Sequence, residues 1–228
     1  MPATGRSSLL ASSQPWIQWS WVRRHPGQLV HAVWEHLVLT FLAVGIGLLI
    51  ALPLAVLVYR FRKTEAPILG VTGAIYTIPS LALLGFLVPI TGLGTTTAEI
   101  ALVGYTLLIL VRNTVTGLNG VPPDVTEAAR GMGFSRGRQL LKVEFPLAVP
   151  AIMAGIRVAT VTTIGLVTIT ALIGAGGLGR LINDGLINDF RTETVLGAAL
   201  SVVLAMVIDG ALLGVERAIT PWARRAAR

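Results

Sequence analysis

Five runs of mainly apolar residues, each close to or above the length of a bilayer crossing, constrain this chain more than any other feature. They lie at about 37–59, 67–90, 98–118, 147–173 and 194–215. A crossing helix needs about 20 such residues. In lipid every backbone polar group must find its partner within the segment, so the runs are read as helices. Hydropathy therefore decides the class where length does not, since 228 residues would otherwise allow one or two soluble domains. Charged residues make up only 13% of the chain, about half the share of a soluble domain. The expected fold is an all-α membrane protein of about five transmembrane helices. The expected layout is an N-terminal interfacial segment (1–33), a transmembrane domain (34–217) and a basic tail (218–228).

The first segment carries Trp16, Trp19 and Trp21 ahead of Arg23 and Arg24, a pattern of interfacial anchors. No continuous apolar core follows a charged start, so it does not read as a cleaved signal peptide. The chain has no cysteine, which excludes disulfides, thiolate zinc sites and a cysteine nucleophile. The net charge of +7 does not point to nucleic acid, because the basic residues are scattered among the loops. They orient the spans instead. With the N-terminus outside, the inner segments hold twelve lysines and arginines and the outer ones five. That asymmetry favours an external N-terminus and a cytoplasmic C-terminus.

The orientation places the most polar stretch, 122–146, in the cytoplasm. Pro122 and Pro123 stop the preceding helix. Asp124 is expected to cap a new one, with Glu127 three positions on. Ala128 and Ala129 favour helix, while Gly131 and Gly133 end or bend it. Ser135 is expected to cap a second short helix that runs towards Phe145, with Pro146 marking the return to the membrane. The shape is two short helices at an angle, presenting small side chains and an acid to a partner.

Here the chain resembles the inner-membrane permease subunits of ABC importers. Their cytoplasmic signature is Glu-Ala-Ala, three residues, Gly, nine residues, then aliphatic, any residue, aliphatic and Pro. The chain matches at Glu127, Ala128, Ala129, Gly133, Val143 and Pro146, with Phe145 where the family usually has Leu. The resemblance implies a type I importer permease whose loop 122–146 forms coupling helices that dock on an ATPase subunit. Two further segments resemble the osmoprotectant branch, which imports glycine betaine, carnitine, choline and proline betaine. They are Tyr76–Phe86, and Ala154–Thr160 continuing to Ile173–Gly179. The resemblance covers about 35–217.

It implies a lipid-embedded subunit of the bacterial plasma membrane. Its partners would be an ABC ATPase, a second permease copy or a homologous permease, and an extracytoplasmic solute-binding protein. No cofactor is expected on this chain. ATP and Mg would sit on the ATPase, since no G-x-x-x-x-G-K-[ST] occurs here. The chain is accordingly expected not to be an enzyme. With 6% aromatics it is poorly equipped for an aromatic cage around a quaternary ammonium, so selectivity would rest mainly with the binding protein. Competing readings are a permease for methionine or another amino acid, a membrane scaffold, and a membrane-embedded enzyme. His31 and His36 are five apart, which does not suit a metal pair on one helical face.

Three intramembrane features remain. Pro79 is expected to kink the second span, lining the pathway or serving packing alone. Gly174, Gly176, Gly177 and Gly179 formally match a dinucleotide-binding run, but the segment before them is a membrane helix rather than a strand. They are expected to form a tight outer turn, a candidate external gate. Arg157 and Asp209 lie roughly 16 and 10 Å from the inner ends of their spans by helix rise. An architectural ion pair between them is expected. The threonines at 160, 162, 163, 168 and 170 do not share one face, which favours helix packing over a polar path.

Overall fold

The computed structural model describes residues 15–222; the first fourteen residues and the end of the basic tail, 223–228, lie outside the described residues. Every element among the described residues is helical. A short α1 (Trp19–Arg24) leads into α2 (Pro26–Arg60). A 3-10 turn then precedes α3 (Glu65–Thr77) and α4 (Ser80–Thr91). Next come α5 (Thr95–Asn119), α6 (Pro123–Gly131) and α7 (Arg136–Gln139). A π-helical turn (Leu140–Glu144) enters α8 (Phe145–Thr170), and α9 (Leu178–Ile187) and α10 (Arg191–Ile219) complete the order. Among the described residues four helices are long and apolar enough to cross a bilayer, and α3 with α4 forms a fifth crossing or a re-entrant pair.

One expectation is corrected by the fold, and the first long helix, α2, begins at Pro26, ahead of its apolar run. Proline at the first helical turn loses no hydrogen bond. Leu29, Ala32 and Val33 then pack against Leu178 and Leu181, so burial carries the helix N-terminally past the apolar run. The second span is not one kinked helix. It breaks by 97° between α3 and α4. Ile78 is extended (φ −66°, ψ 128°), the conformation a following proline imposes. The carbonyl of Ile78 is satisfied by the hydroxyl of Tyr105 on α5, which donates to it.

The helices approach closely because their contact faces are small, the usual basis of packing in lipid. On α2 the buried face runs His36, Thr40, Ala43, Gly47, Ala51 and Ala55. A Cβ on Gly47 would lie 2.0 Å from Thr106 Oγ1 of α5. Gly155 of α8 likewise seats Asn113 of α5, with 2.6 Å to a built Cβ. These contacts make α2, α5 and α8 the centre of the bundle, around Leu102, Leu110, Val111, Ala159 and Val167. In contrast, α10 buries few of its residues and is held to the rest through α9 and α8.

Candidate functional site

The signature loop is built at the ends of α5 and α8. Pro123, not Asp124, starts α6, and Asp124 falls in its first turn without capping it. The expected capping box is absent because Pro122 and Pro123 preset the entry; the Asp124 carboxylate still lies at the positive end of the helix. Glu127 and Ala128 face outward, while Ala129 is only 1% exposed and holds α6 to the bundle. The helix ends as its glycine requires. Phe134 N–H donates to the Ala129 carbonyl at 3.1 Å and Gly133 N–H to that of Arg130 at 2.9 Å. Gly133 closes this turn at φ +79°, where a Cβ is strained. Ser135 Oγ accepts from Arg138 N–H at 3.4 Å and starts α7.

The loop returns through the π turn. Leu140 is buried against Leu118, Ala148 and Ile152, with Phe145 packed beside them, so aromatic bulk at that position is accommodated. Val143 and Pro146 are half-buried. Two large apolar side chains, Met132 and Leu141, stay 70% exposed. The surface therefore combines an acid, small residues and apolar contacts, suited to docking another protein.

Arg157 and Asp209 meet in a bidentate pair: Nε to Oδ1 and Nη2 to Oδ2 are both 2.9 Å. Glu216, one heptad beyond Asp209 on α10, takes the remaining edge of the guanidinium at 3.3 Å. The reading from sequence missed this role of Glu216. The i, i+7 spacing of Asp209 and Glu216 was the available signal. Ala154, Val158, Val161 and Thr162 form a groove of about 380 Å³ beside the pair.

At the other end of α8, the glycines form a turn tied to α2. Gly174 is left-handed (φ +81°), and Gly176 and Gly177 also have positive φ. Gly177 N–H donates to Glu35 Oε2 at 3.0 Å, and Leu178 N–H to His36 Nδ1 at 3.3 Å. His36 Nε2 donates in turn to the Ile164 carbonyl at 3.0 Å, which fixes the neutral tautomer. Glu35 also meets His31 at 3.1 Å and Arg180 at 3.7 Å. A Cβ on Gly179 would sit 2.2 Å from the Thr168 carbonyl oxygen, so α9 lies directly on the backbone of α8. Glu35 and His36 were invisible as partners in the sequence, because they act across more than 140 residues on backbone amides.

Most of the α8 threonines bond back to their own helix: Thr160 to Ile156, Thr163 to Ala159, Thr168 to Gly165 and Thr170 to Val167. Pro79 stands apart from these clusters, at the break with Tyr105. Glu99 on α5 is a further buried carboxylate that sequence inspection overlooked, and both its oxygens are unpartnered.

The family model for the binding-protein-dependent transport system inner membrane component matches residues 43–223. The choline transport system permease protein OpuBB of Bacillus subtilis (strain 168) is 42% identical over 86% of this chain and 90% of its own length. The glycine betaine/carnitine/choline transport system permease protein OpuCB of the same organism is 39% identical over 89% and 93%. The osmoprotectant import permease protein OsmW of Salmonella typhimurium is 40% identical over 86% and 93%. Among solved structures, the inward-facing MetNI methionine ABC transporter superposes with a TM-score of 0.76 at 27% identity, covering 85% of this chain and 96% of that one. An amino acid ABC transporter follows at 0.69 and 21%, over 88% and 98%, a likeness of fold alone. The helical bundle, the signature loop and these matches agree on a multi-pass membrane protein with the fold of a type I importer permease: the chain belongs to the binding-protein-dependent transport system inner membrane component family.

Proposed function

We propose that this chain is the membrane permease of an ABC importer for compatible solutes of the quaternary-ammonium kind: choline, glycine betaine, carnitine or proline betaine. The observation that carries the solute class is the 39–42% identity, over most of both chains, to permeases named for choline, glycine betaine/carnitine/choline and osmoprotectants. The N-terminus faces outward and the loop 122–146 faces the cytoplasm, by the distribution of basic residues. One copy is too small to enclose a pathway, so it works with a second copy or a homologous permease. Solute arrives on an extracytoplasmic binding protein.

ATP and Mg belong to a separate ATPase subunit. That subunit docks on Glu127, Ala128 and the exposed Met132 and Leu141, while Gly133, Val143 and Pro146 set the shape of the loop. ATP drives the cycle only to the extent that it binds one state of the assembly better than the other. The glycine turn at 174–179 and the break at Pro79 are the elements proposed to move as the pathway opens. The Arg157–Asp209–Glu216 cluster serves architecture, fixing α10 to α8.

The test is reconstitution of the permease with its ATPase and binding protein in vesicles, followed by uptake of labelled choline, glycine betaine, carnitine and methionine. Uptake of a quaternary ammonium solute that needs ATP and the binding protein is expected. Methionine uptake instead would favour the amino-acid reading that the MetNI superposition raises. A permease that recruits no ATPase would end the proposal.

A further inference from the structure

The exposed side of α5 is polar where a lipid-facing helix would be apolar. In the stretch 110–119 only Arg112, Thr116 and Asn119 are exposed. Their spacing of i, i+4 and i+7 puts them on one stripe of the helix. The matching exposed stripe on α10 is Val203, Val207, Ala211 and Val215, the composition of a surface in contact with lipid. Arg112 lies seven residues before the end of α5 at Asn119, about 10 Å into the span by helix rise. Among the described residues no carboxylate oxygen lies within 4.0 Å of its guanidinium nitrogens. The Thr116 hydroxyl does not bond back to its own helix, unlike those of Thr160 and Thr163 on α8. Open against hydrocarbon these groups are unfavourable, and in water they are solvated. Snorkelling along its stem would lift the guanidinium to the headgroups but would leave the Thr116 hydroxyl against lipid.

Two turns further from Asn119 the same stripe reaches Tyr105. The Tyr105 hydroxyl holds the Ile78 carbonyl at the break between α3 and α4, and its ring meets the exposed Tyr76 edge to face. Tyr105 also lines a small cleft with Ser80 and Thr170, between α4, α5 and α8. A polar line therefore runs along one side of α5, from the middle of the bundle to its signature-loop end. It starts beside a broken helix, the kind of element that lines transport pathways. We infer that this side of α5 lines the inner half of the solute pathway, and that Arg112 sets the charge preference of that half. The inference rests on the permease reading and orientation proposed above, with a second permease closing the path. A fixed positive charge beside a narrow wet path disfavours a bare cation. It tolerates a zwitterion, whose carboxylate offsets its ammonium. Among the proposed solutes choline is the bare cation, whereas glycine betaine, carnitine and proline betaine each carry a carboxylate. Arg112 therefore lowers the passage of choline relative to the other three without excluding it.

The experiment uses the complete transporter in vesicles. The chain has no cysteine, so a single introduced thiol reports the surroundings of its position. Arg112→Cys and Thr116→Cys are treated from the signature-loop side with a membrane-impermeant anionic thiosulfonate. Val207→Cys and Ala211→Cys on α10 are the lipid-facing controls, and modification is read from the mass of the permease chain. The two α5 thiols should react at least about tenfold faster than the controls, because the attacking thiolate forms in water and not in hydrocarbon. In uptake, Arg112→Gln should raise the ratio of choline to glycine betaine about threefold, the effect of one charge roughly 6 Å away in water. Arg112→Lys should leave the ratio unchanged. Thr116→Glu, which offsets Arg112 from one turn away without removing it, should shift the ratio in the same direction as Arg112→Gln. Labelling at 112 and 116 no faster than at 207 and 211 would overturn the wet face and leave Arg112 as a snorkelling lipid contact. A ratio unmoved by both Arg112→Gln and Thr116→Glu would overturn the part of Arg112 in selectivity. Labelling needs no solute, so it decides the face whichever cargo is carried, separately from the solute class proposed above. Should Arg112→Gln fail to assemble, Thr116→Cys and Thr116→Glu keep the arginine and decide both points.

Discussion

Arg157 illustrates how one intramembrane charge is made tolerable. Asp209 occupies two of its donors and Glu216 a third, so the cluster carries one net negative charge rather than an isolated positive one. Asp209→Asn should lower the melting temperature of the solubilised permease. The loss should be modest, because the Asp209 side chain is 37% exposed and Glu216 remains. Arg157→Glu should prevent assembly, and adding Asp209→Arg should recover part of it by restoring opposite charges at the same net total. Failure of that recovery would show that Glu216 and the helix geometry matter more than the pair. Glu99 presents the opposite case, with both oxygens buried and unbonded. Glu99→Met removes an unsatisfied polar group at similar volume and should raise the melting temperature, by about 1–3 kcal/mol of stability. A lower melting temperature in the complete transporter would mean that a second subunit supplies the missing partner.

Among the elements, the broken span between α3 and α4 depends on a single hydroxyl. Tyr105→Phe keeps the ring and its packing against Tyr76 but leaves the Ile78 carbonyl without a donor. Amide exchange around 75–82 should accelerate, with a stability loss of about 1–3 kcal/mol. Unchanged exchange would mean that Pro79 alone holds the break. The sequence made Pro79 legible as a disturbance but not the 97° turn, because the angle depends on a tyrosine 26 residues further on. Helix ends were misjudged for a related reason. Apolar runs report lipid depth, whereas α2 extends to Pro26 by packing on α9 and α6 starts at Pro123 by backbone preset. Gly133, in contrast, was legible in role as well as position: a helix that must stop at Gly131 needs a residue just beyond it that adopts positive φ. Gly133→Ala should cost about 1–2 kcal/mol locally and fray α6. Circular dichroism would barely register it, but affinity for the ATPase should fall.

Across the whole molecule, α8 connects the two ends that sequence inspection had treated separately. Its 26 residues span about 39 Å, from the π turn of the signature loop to the glycine turn. At the far end α9 rests on its backbone at Gly179, and Glu35 and His36 tie that turn to α2. A displacement imposed on the loop therefore reaches the glycine turn through one continuous helix, provided the turn is clamped. Glu35→Ala removes the Gly177 amide contact and the Arg180 ion pair without touching the loop or the Arg157 cluster. In proteoliposomes the variant should still recruit the ATPase and hydrolyse ATP at near the normal rate, while solute uptake per ATP falls several-fold. The ratio of the two rates, measured in the same vesicles, is the decisive quantity. If hydrolysis and uptake fall together, Glu35 supports the fold as a whole. If neither changes, the clamp is dispensable, and transmission must pass through α2 and α5 instead.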